Sequence, residues 1–142
     1  MITSSLLLAA SLAVSPPTGL TDQEYDSVLR AIRTVESNND PSAVGDAGKA
    51  IGVYQVWRPY WQDAIEKQPW IGGTYQDCFD PSYSDRIVRA YMSRYATQRR
   101  LGRNVTQEDI ARIHNGGPNG YRKDATLKYW HKVQREMESQ QR

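Results

Sequence analysis

The amino-acid sequence predicts one domain with an α+β fold that is mainly α-helical. About five segments carry apolar residues at the three- and four-residue spacing of helices that bury one face. Only residues 43–56 combine turn-forming residues with a brief apolar run, which leaves room for at most a small hairpin or sheet. The chain has 142 residues, which is typical of one domain that can bury a core without metals or disulfides.

The N-terminus carries a short apolar run, SLLLAASLAV at residues 5–14, followed by a Pro-Pro-Thr-Gly linker at residues 16–19. The run is too short to cross a membrane as a helix. Its length and its small residues are typical of the apolar part of a signal peptide, although no Lys or Arg precedes Arg30. We therefore expect residues 1–19 to be signal peptide and linker, residues 20–142 to be the folded domain, and the protein to be secreted or periplasmic.

The first helix is predicted over residues 22–36. Thr21 and Glu24 have the spacing of a capping box, in which the side chain of each residue accepts a hydrogen bond from the backbone amide of the other. The apolar residues that follow keep helical spacing and predict one buried face: Tyr25, Val28, Leu29, Ile32 and Val35.

Four further helices are expected along the chain. The second begins at Pro59, because proline suits the first helical position, and a long loop follows over residues 68–83. The third is capped by Ser84 or Asp85 and ends at residues 100–102. A fourth helix is capped by Thr106 and ends at His114, and the last begins at Asp124.

Composition excludes several classes of function. The net charge of +2 is too small for a nucleic-acid-binding surface, and two histidines without HExxH spacing or a cysteine cluster argue against a metal site. No GxSxG motif accompanies the serines, which argues against acyl transfer. The single cysteine, Cys78, cannot form an intramolecular disulfide, and its acidic neighbours disfavour a reactive thiolate. We therefore expect no cofactor, no metal, no nucleic-acid partner and no stable insertion into a membrane.

Glu36 is the strongest candidate for acid–base chemistry. It follows Ile32 by four residues, which places its carboxyl on the buried stripe at the C-terminal end of the first helix. Partial burial and the negative end of the helix dipole both favour the neutral form of a carboxyl. A glycosidase needs such a group to protonate the leaving oxygen. The alternative from periodicity alone is a carboxyl that only holds the following loop by hydrogen bonds.

A second carboxylate is commonly needed across the scissile bond of a glycoside. Asp46 lies among glycines in the loop after the first helix, where little blocks the approach of a substrate. Asp40 precedes Pro41 and is the better candidate for a turn. His114 is either a helix cap beside the glycine-rich loop or a donor to a bound substrate.

Two stretches of the chain resemble the invertebrate-type lysozyme and destabilase family. Residues 36–64, ESNNDPSAVGDAGKAIGVYQVWRPYWQDA, are similar to its catalytic region, which has a Glu-Ser, an Asp, a Gly-aromatic-Gln run and a Tyr-Trp-x-Asp. Residues 111–134, ARIHNGGPNGYRKDATLKYWHKVQ, resemble its C-terminal signature almost residue for residue. The resemblance covers residues 25–134. The family is rich in disulfides, whereas this chain has one cysteine.

The resemblance implies a lysozyme-like fold and a muramidase, which hydrolyses the β-1,4 bond between N-acetylmuramic acid and N-acetylglucosamine in peptidoglycan. It implies Glu36 as the general acid and Asp46 as the second carboxylate, either nucleophile or electrostatic stabiliser. The substrate-binding residues that it implies are Ser37, Tyr54, Gln55, Tyr60, Trp61, His114 and Asn115. The expected partner is peptidoglycan or chitin oligomers, and we expect a monomer.

Two alternatives stay open. A lytic transglycosylase shares the Glu-Ser to Gln pattern and cleaves the same bond without water, which gives anhydro-muramic products. A non-catalytic protein that binds peptidoglycan or chitin would keep the cleft without turnover. Some members of the family also cleave isopeptide bonds, but no Ser–His pair in this sequence argues for that activity.

Overall fold

Six α-helices and a small sheet make up the computed structural model, which describes residues 15–142. The expectation of a mainly helical α+β fold is confirmed. The helices are α1 (Asp22–Ser37), α2 (Arg58–Lys67), α3 (Pro81–Tyr95), α4 (Gln98–Leu101), α5 (Gln107–Gly116) and α6 (Leu127–Gln140). The strands are β1 (Val44–Gly45), β2 (Ala50–Ile51) and β3 (Val56–Trp57).

Helix α1 begins where the capping box predicts. The Thr21 hydroxyl accepts a hydrogen bond from the Glu24 amide, and the Glu24 carboxylate accepts one from the Thr21 amide. The helix ends at Asn38, which adopts the left-handed conformation with φ of 54°. The predicted apolar face is buried, with Val35 at its half-buried margin. Helices α5 and α6 pack against α1.

The predicted small sheet is confirmed as three antiparallel strands in the order β1-β2-β3. Val44 pairs with Ile51, which in turn pairs with Val56. The turn between β2 and β3 requires Gly52, because its φ is 78° and a Cβ there would collide with the carbonyl of Cys78. The sheet thereby projects the β1–β2 turn beside the end of α1.

The predicted start and end of the third helix were wrong. Asp80, and neither Ser84 nor Asp85, caps α3, since its carboxylate accepts hydrogen bonds from the Ser82 and Tyr83 amides. The helix also stops at Tyr95 and does not continue to residues 100–102. The reason is a second cap: Thr97 accepts a hydrogen bond from the Arg100 amide and starts the four-residue helix α4.

The C-terminal helices follow the prediction more closely. Thr106 caps α5 as expected, in a capping box that is closed by Asp109. The helix continues two residues beyond His114, to Gly116. Helix α6 begins at Leu127 instead of Asp124, because residues 120–122 and 124–126 form tight 3-10 turns first.

Cys78 is fully buried in the core, as expected for a small apolar side chain. Burial, and then the negative charge of Asp77, raise the pKa of its thiol to about 12. The thiol is therefore protonated and unreactive at neutral pH.

Most of the predicted signal peptide lies outside the described residues. Of the expected linker, Thr18 lies against the domain, where its carbonyl accepts a hydrogen bond from the Val105 amide at 2.9 Å. Within residues 15–142, no helix is both long enough and apolar enough to cross a membrane.

Candidate active-site cleft

A cleft of about 300 Å³ brings together residues from helices α1, α2, α3 and α5 and from the sheet. Glu36 stands at the end of α1, Asp46 in the β1–β2 turn, and His114 at the end of α5. The full lining is Glu36, Asp46, Gln55, Trp57, Tyr60, Tyr91, His114, Asn115 and Gly117. Six of the nine residues that the sequence singled out therefore meet in one cleft.

Glu36 presents one carboxylate oxygen to the protein and the other to the cleft. The Tyr129 hydroxyl donates a hydrogen bond to Oε1 at 2.8 Å. No described residue donates to Oε2, which is not sealed from solvent, and the side chain is 20% exposed. Burial, and then the charge of Glu36, hold the pKa of Tyr129 well above its usual range, so this hydroxyl remains a donor. Glu36 is thus fixed at Oε1 and free to act at Oε2.

His114 is a buried, neutral wall of the cleft, with its side chain 4% exposed. Its Nε2 lies 3.0 Å from the Tyr54 carbonyl oxygen, which can only accept, so Nε2 carries the proton. Its Nδ1 then accepts a hydrogen bond from the Tyr60 hydroxyl at 3.1 Å. Burial lowers the pKa of His114, and the opposing effect of Glu36 is smaller. His114 is not a cap of α5, because both ring nitrogens are bonded to other segments.

Two tyrosines stack to form an aromatic wall. The rings of Tyr60 and Tyr91 lie 3.6 Å apart between centroids and are almost parallel, at 10°. Burial raises the pKa of Tyr60 well above its usual range, which keeps its hydroxyl protonated as the donor to His114. Each tyrosine of this wall has an apolar ring and a polar hydroxyl, so the wall offers both kinds of contact.

Asp46 is held in the cleft by an unusual backbone. Asp46 and Ala47 both have positive φ, at 50° and 55°, in the tight turn between β1 and β2. The left-handed region is unfavourable for alanine and costs on the order of 1 kcal/mol or more. The indole N–H of Trp57 donates to Asp46 Oδ2 at 3.3 Å. The strained turn and the indole together aim this exposed carboxylate into the cleft.

Gln55 ties the same turn to the sheet. Its side-chain amide donates to the carbonyls of Ala43 and Gly52, at 3.2 and 3.0 Å. Its backbone also has positive φ, at 52°. A Cβ on Gly45 would collide with the Gln55 side-chain oxygen, so the glycine leaves room for this link. Gln55 therefore positions the loop that carries Asp46.

Three of the residues expected to bind substrate do not line the cleft. Ser37 donates its hydroxyl to the Val53 carbonyl at 2.8 Å and holds α1 against the sheet. Tyr54 is fully buried, with its hydroxyl donated to Asp85 at 2.6 Å. Trp61 is half-buried and donates its indole N–H to the Tyr83 hydroxyl. These side chains support the cleft from behind.

Asp40 has the structural role that its place before proline predicts. Its Oδ1 accepts hydrogen bonds from the Ser42 hydroxyl and amide at 2.7 and 2.9 Å. These bonds, the side-chain one first, lower the pKa of Asp40.

Sequence reasoning missed four residues of the site: Trp57, Tyr91, Gly117 and Tyr129. Trp57, Gly117 and Tyr129 carried a usable signal, because each lies in one of the two stretches that resemble the family. Tyr91 lies outside both stretches, and its helical spacing indicated only core packing. Among residues 15–142, no group of three or more His, Cys, Asp or Glu side chains is arranged to hold a metal ion.

Comparisons with known proteins place the chain in a family. The sequence model of the Destabilase family matches residues 25–136. Lysozyme 1 of Crassostrea virginica is 40% identical over 120 residues, which are 82% of this chain and 60% of that protein. The lysozyme of Ostrea edulis is 31% identical over 133 residues, which are 91% of this chain and 93% of that protein. The chain thus spans about 60% of the length of the first of these relatives.

Solved structures agree with the sequence comparison. The crystal structure of Tapes japonica lysozyme matches with a TM-score of 0.66 and 30% identity, over 84% of this chain and 92% of that chain. Meretrix lusoria lysozyme, in complex with Aeromonas hydrophila PliI, matches with the same TM-score and identity, over 77% of this chain and 87% of that chain. From the match to the family model and the agreement of fold, the chain belongs to the Destabilase family, which includes the invertebrate-type lysozymes.

Proposed function

We propose that this protein is a lysozyme that hydrolyses the β-1,4 bond between N-acetylmuramic acid and N-acetylglucosamine in peptidoglycan. The observation that carries the proposal is the meeting of Glu36 and Asp46 in one cleft, from elements that are distant in the chain. Paired carboxylates on either side of a glycosidic bond are the usual machinery for this reaction.

Glu36 is proposed as the general acid. In its neutral form it donates a proton to the glycosidic oxygen as the bond from that oxygen to the sugar C1 breaks. Oε2 suits this step because it opens on the cleft, whereas Tyr129 holds Oε1. Neutral His114, 3.7 Å from Oε1, brings no positive charge that would favour the carboxylate before the proton is transferred.

Asp46 is proposed as the second carboxylate. Positive charge develops at C1 and the ring oxygen as the leaving group departs, and a fixed carboxylate stabilises it. Trp57 and the strained turn fix Asp46 before substrate arrives, which reduces the reorganisation needed in the transition state. Water then supplies hydroxyl to C1, and its proton returns to Glu36.

The proposed site of action is outside the cytoplasm, where peptidoglycan lies. The apolar run at residues 5–14 is the argument for export. N-terminal sequencing of protein recovered from the medium or periplasm of an expressing cell tests this, and a mature chain that begins within residues 15–20 is expected. We also propose that it acts as a monomer, which light scattering tests.

The test of the reaction follows the clearing of a peptidoglycan suspension and identifies the products by mass. Glu36→Gln and Asp46→Asn should each lose most activity. The matched controls are Glu138→Gln and Asp124→Asn, since both side chains are exposed and form no salt bridge within the described chain. Ordinary reducing ends are expected. Anhydro-muramic products from an active Asp46→Asn variant would indicate a transglycosylase, and wall binding without clearing would indicate a binding protein.

A further inference from the structure

A second groove of about 540 Å³ adjoins the cleft on the other side of Trp57. Trp57 lines both, so the two concavities share this residue as a common wall. Besides Trp57, its lining includes two cations, Lys49 and Arg58, and two aromatic residues, Tyr75 and Phe79. We call this concavity the cationic groove.

The floor of the cationic groove is aromatic and firmly held. Tyr75 is buried, and its hydroxyl is shared between the carbonyl oxygens of Lys49 and Val56, at 3.1 and 2.6 Å. Phe79 and Trp57 remain 37% and 42% exposed, although large apolar side chains are usually covered. Tyr75 therefore fixes a surface on which apolar groups of a ligand can pack.

Two cations stand over this floor. The guanidinium of Arg58 lies 4.6 Å from the centre of the Tyr75 ring, and the Lys49 ammonium lies 5.8 Å from the centre of a Trp57 ring. Neither forms a salt bridge with any residue in the described part of the chain. The groove lining contains no carboxylate. A ligand here meets positive charge and aromatic surface together.

We propose that the cationic groove binds the acidic stem peptide of the peptidoglycan strand whose glycan lies in the cleft. This inference rests on the proposed function. The stem peptide hangs from the lactyl group of N-acetylmuramic acid, so it leaves the glycan beside the cleft. It carries free carboxylates and the methyl groups of alanine, which match the two cations and the aromatic floor. A neutral sugar would use the aromatic surface but would leave Lys49 and Arg58 without a partner.

The consequence is a preference for strands that carry peptide. The enzyme should cleave peptide-bearing glycan with a higher kcat/KM than the same glycan after an amidase has removed the peptides. The preference should shrink as salt is added, because exposed ion pairs are screened. Removing either cation should lower the preference about threefold, as expected for an exposed ion pair.

The experiment compares the wild-type protein with Arg58→Gln and with Lys49→Gln/Arg58→Gln on these two substrates. The control is Lys128→Gln/Lys132→Gln, which removes the same charge from the exposed face of α6. We expect the groove variants to lose activity on peptide-bearing strands and to keep it on bare glycan, whereas the control keeps both. An equal loss on both substrates, or no loss on either, would overturn the proposal.

Binding separates this inference from the proposed function. A titration with a free stem tetrapeptide, followed by the NMR shifts of the indole N–H groups, should perturb Trp57 in the wild type and not in the double groove variant. Trp57→Phe identifies that signal. If the wild type cleaves neither substrate, only the proposed function is overturned. The titration still tests whether the groove binds the peptide. No perturbation in the wild type would overturn the groove.

Discussion

The hydroxyl of Tyr129 lies 2.8 Å from Oε1 of Glu36, although 93 residues separate them in the chain. The packing of α6 against α1 makes this contact. It fixes one oxygen of the proposed general acid and leaves the other to the cleft. The relationship makes Tyr129 a positioning residue, since it reaches the substrate only through Glu36.

Tyr129→Phe should lower kcat about fivefold, because one hydrogen bond worth about 1 kcal/mol is lost while the ring remains. KM should change little, because Tyr129 is held behind Glu36 and is not among the residues that line the cleft. Clearing rates measured over a range of substrate concentrations separate kcat from KM, and an unchanged kcat or a loss confined to KM would argue against the role. Tyr121→Phe is the control, because no hydrogen bond joins its hydroxyl to another described residue.

Burial of neutral His114 should make stability depend on pH. Its pKa is lower in the folded protein than the value of about 6.5 in the unfolded chain, so the unfolded state binds the proton first. The free energy of unfolding should thus be highest above pH 6.5 and fall as the pH drops from about 6.5 towards the folded pKa. Tyr54 and Tyr60 face the ring as neutral groups, and the Glu36 carboxylate opposes the effect without reversing it.

Urea unfolding of the wild type and of His114→Gln at pH 5.5 and 7.5 checks this dependence. The glutamine amide can still donate to the Tyr54 carbonyl but does not titrate. The variant should be less stable at pH 7.5 and should lose less stability at pH 5.5. NMR of the imidazole nitrogens should find the proton on Nε2 at pH 7, and a proton on Nδ1 would contradict the bonding described.

The sequence predicts those parts of the fold that local patterns govern. Helix α1 begins at Thr21 as predicted, because a capping box needs only residues three apart. The end of α3 was missed because residues 96–101 contain no proline or glycine that would end a helix before Gly102, whereas Thr97 caps a new helix after Tyr95. An N-cap side chain contributes about 1 kcal/mol to the free energy of unfolding, and the spacing of apolar residues does not reveal so small a contribution.

The residues of the candidate site were likewise predicted only where a local pattern indicated them. Helical spacing alone placed Glu36 on the buried stripe, and the glycine-rich loop after that helix indicated Asp46, which the resemblance also implied. Trp57 and Tyr129 were missed because their roles depend on contacts with Asp46 and Glu36 in other segments, which no local spacing encodes. Ser37 matched a family motif, yet its hydroxyl is bonded to the Val53 carbonyl. A motif residue next to a proposed catalytic residue can therefore stabilise the fold alone.

Asp109 should stabilise the fold more than any exposed ion pair. It is 1% exposed, and Arg103 contacts both of its oxygens at 2.6 and 2.8 Å. Burial alone would raise the pKa of Asp109, but hydrogen bonds from Arg103 and Thr106 lower it overall. The stability it provides is therefore present above about pH 4, the unfolded value, and is lost as pH falls through the lower folded pKa.

Asp109→Asn should lower the free energy of unfolding at pH 7 by about 2 kcal/mol, because charged hydrogen bonds are lost in a buried place. Glu66→Gln is the matched control, since that carboxylate is 71% exposed in its pair with Arg94. It should change stability by less than about 1 kcal/mol. Urea denaturation measures the free energy of unfolding of both variants. Equal losses would show that the buried ion pair of Asp109 stabilises the fold no more than an exposed one.

Trp57→Phe should lower kcat/KM about three- to tenfold on peptidoglycan, with little change in the melting temperature. Phenylalanine keeps an aromatic wall between the cleft and the cationic groove but cannot donate to Asp46 Oδ2, which then turns towards solvent more often. Trp70→Phe is the control, because Trp70 is 70% exposed and lines neither concavity. Initial rates of wall clearing at low and high salt distinguish the causes. A loss that persists in high salt indicates misplacement of Asp46, whereas a loss confined to low salt would assign the effect to the neighbouring cations and contradict the positioning role.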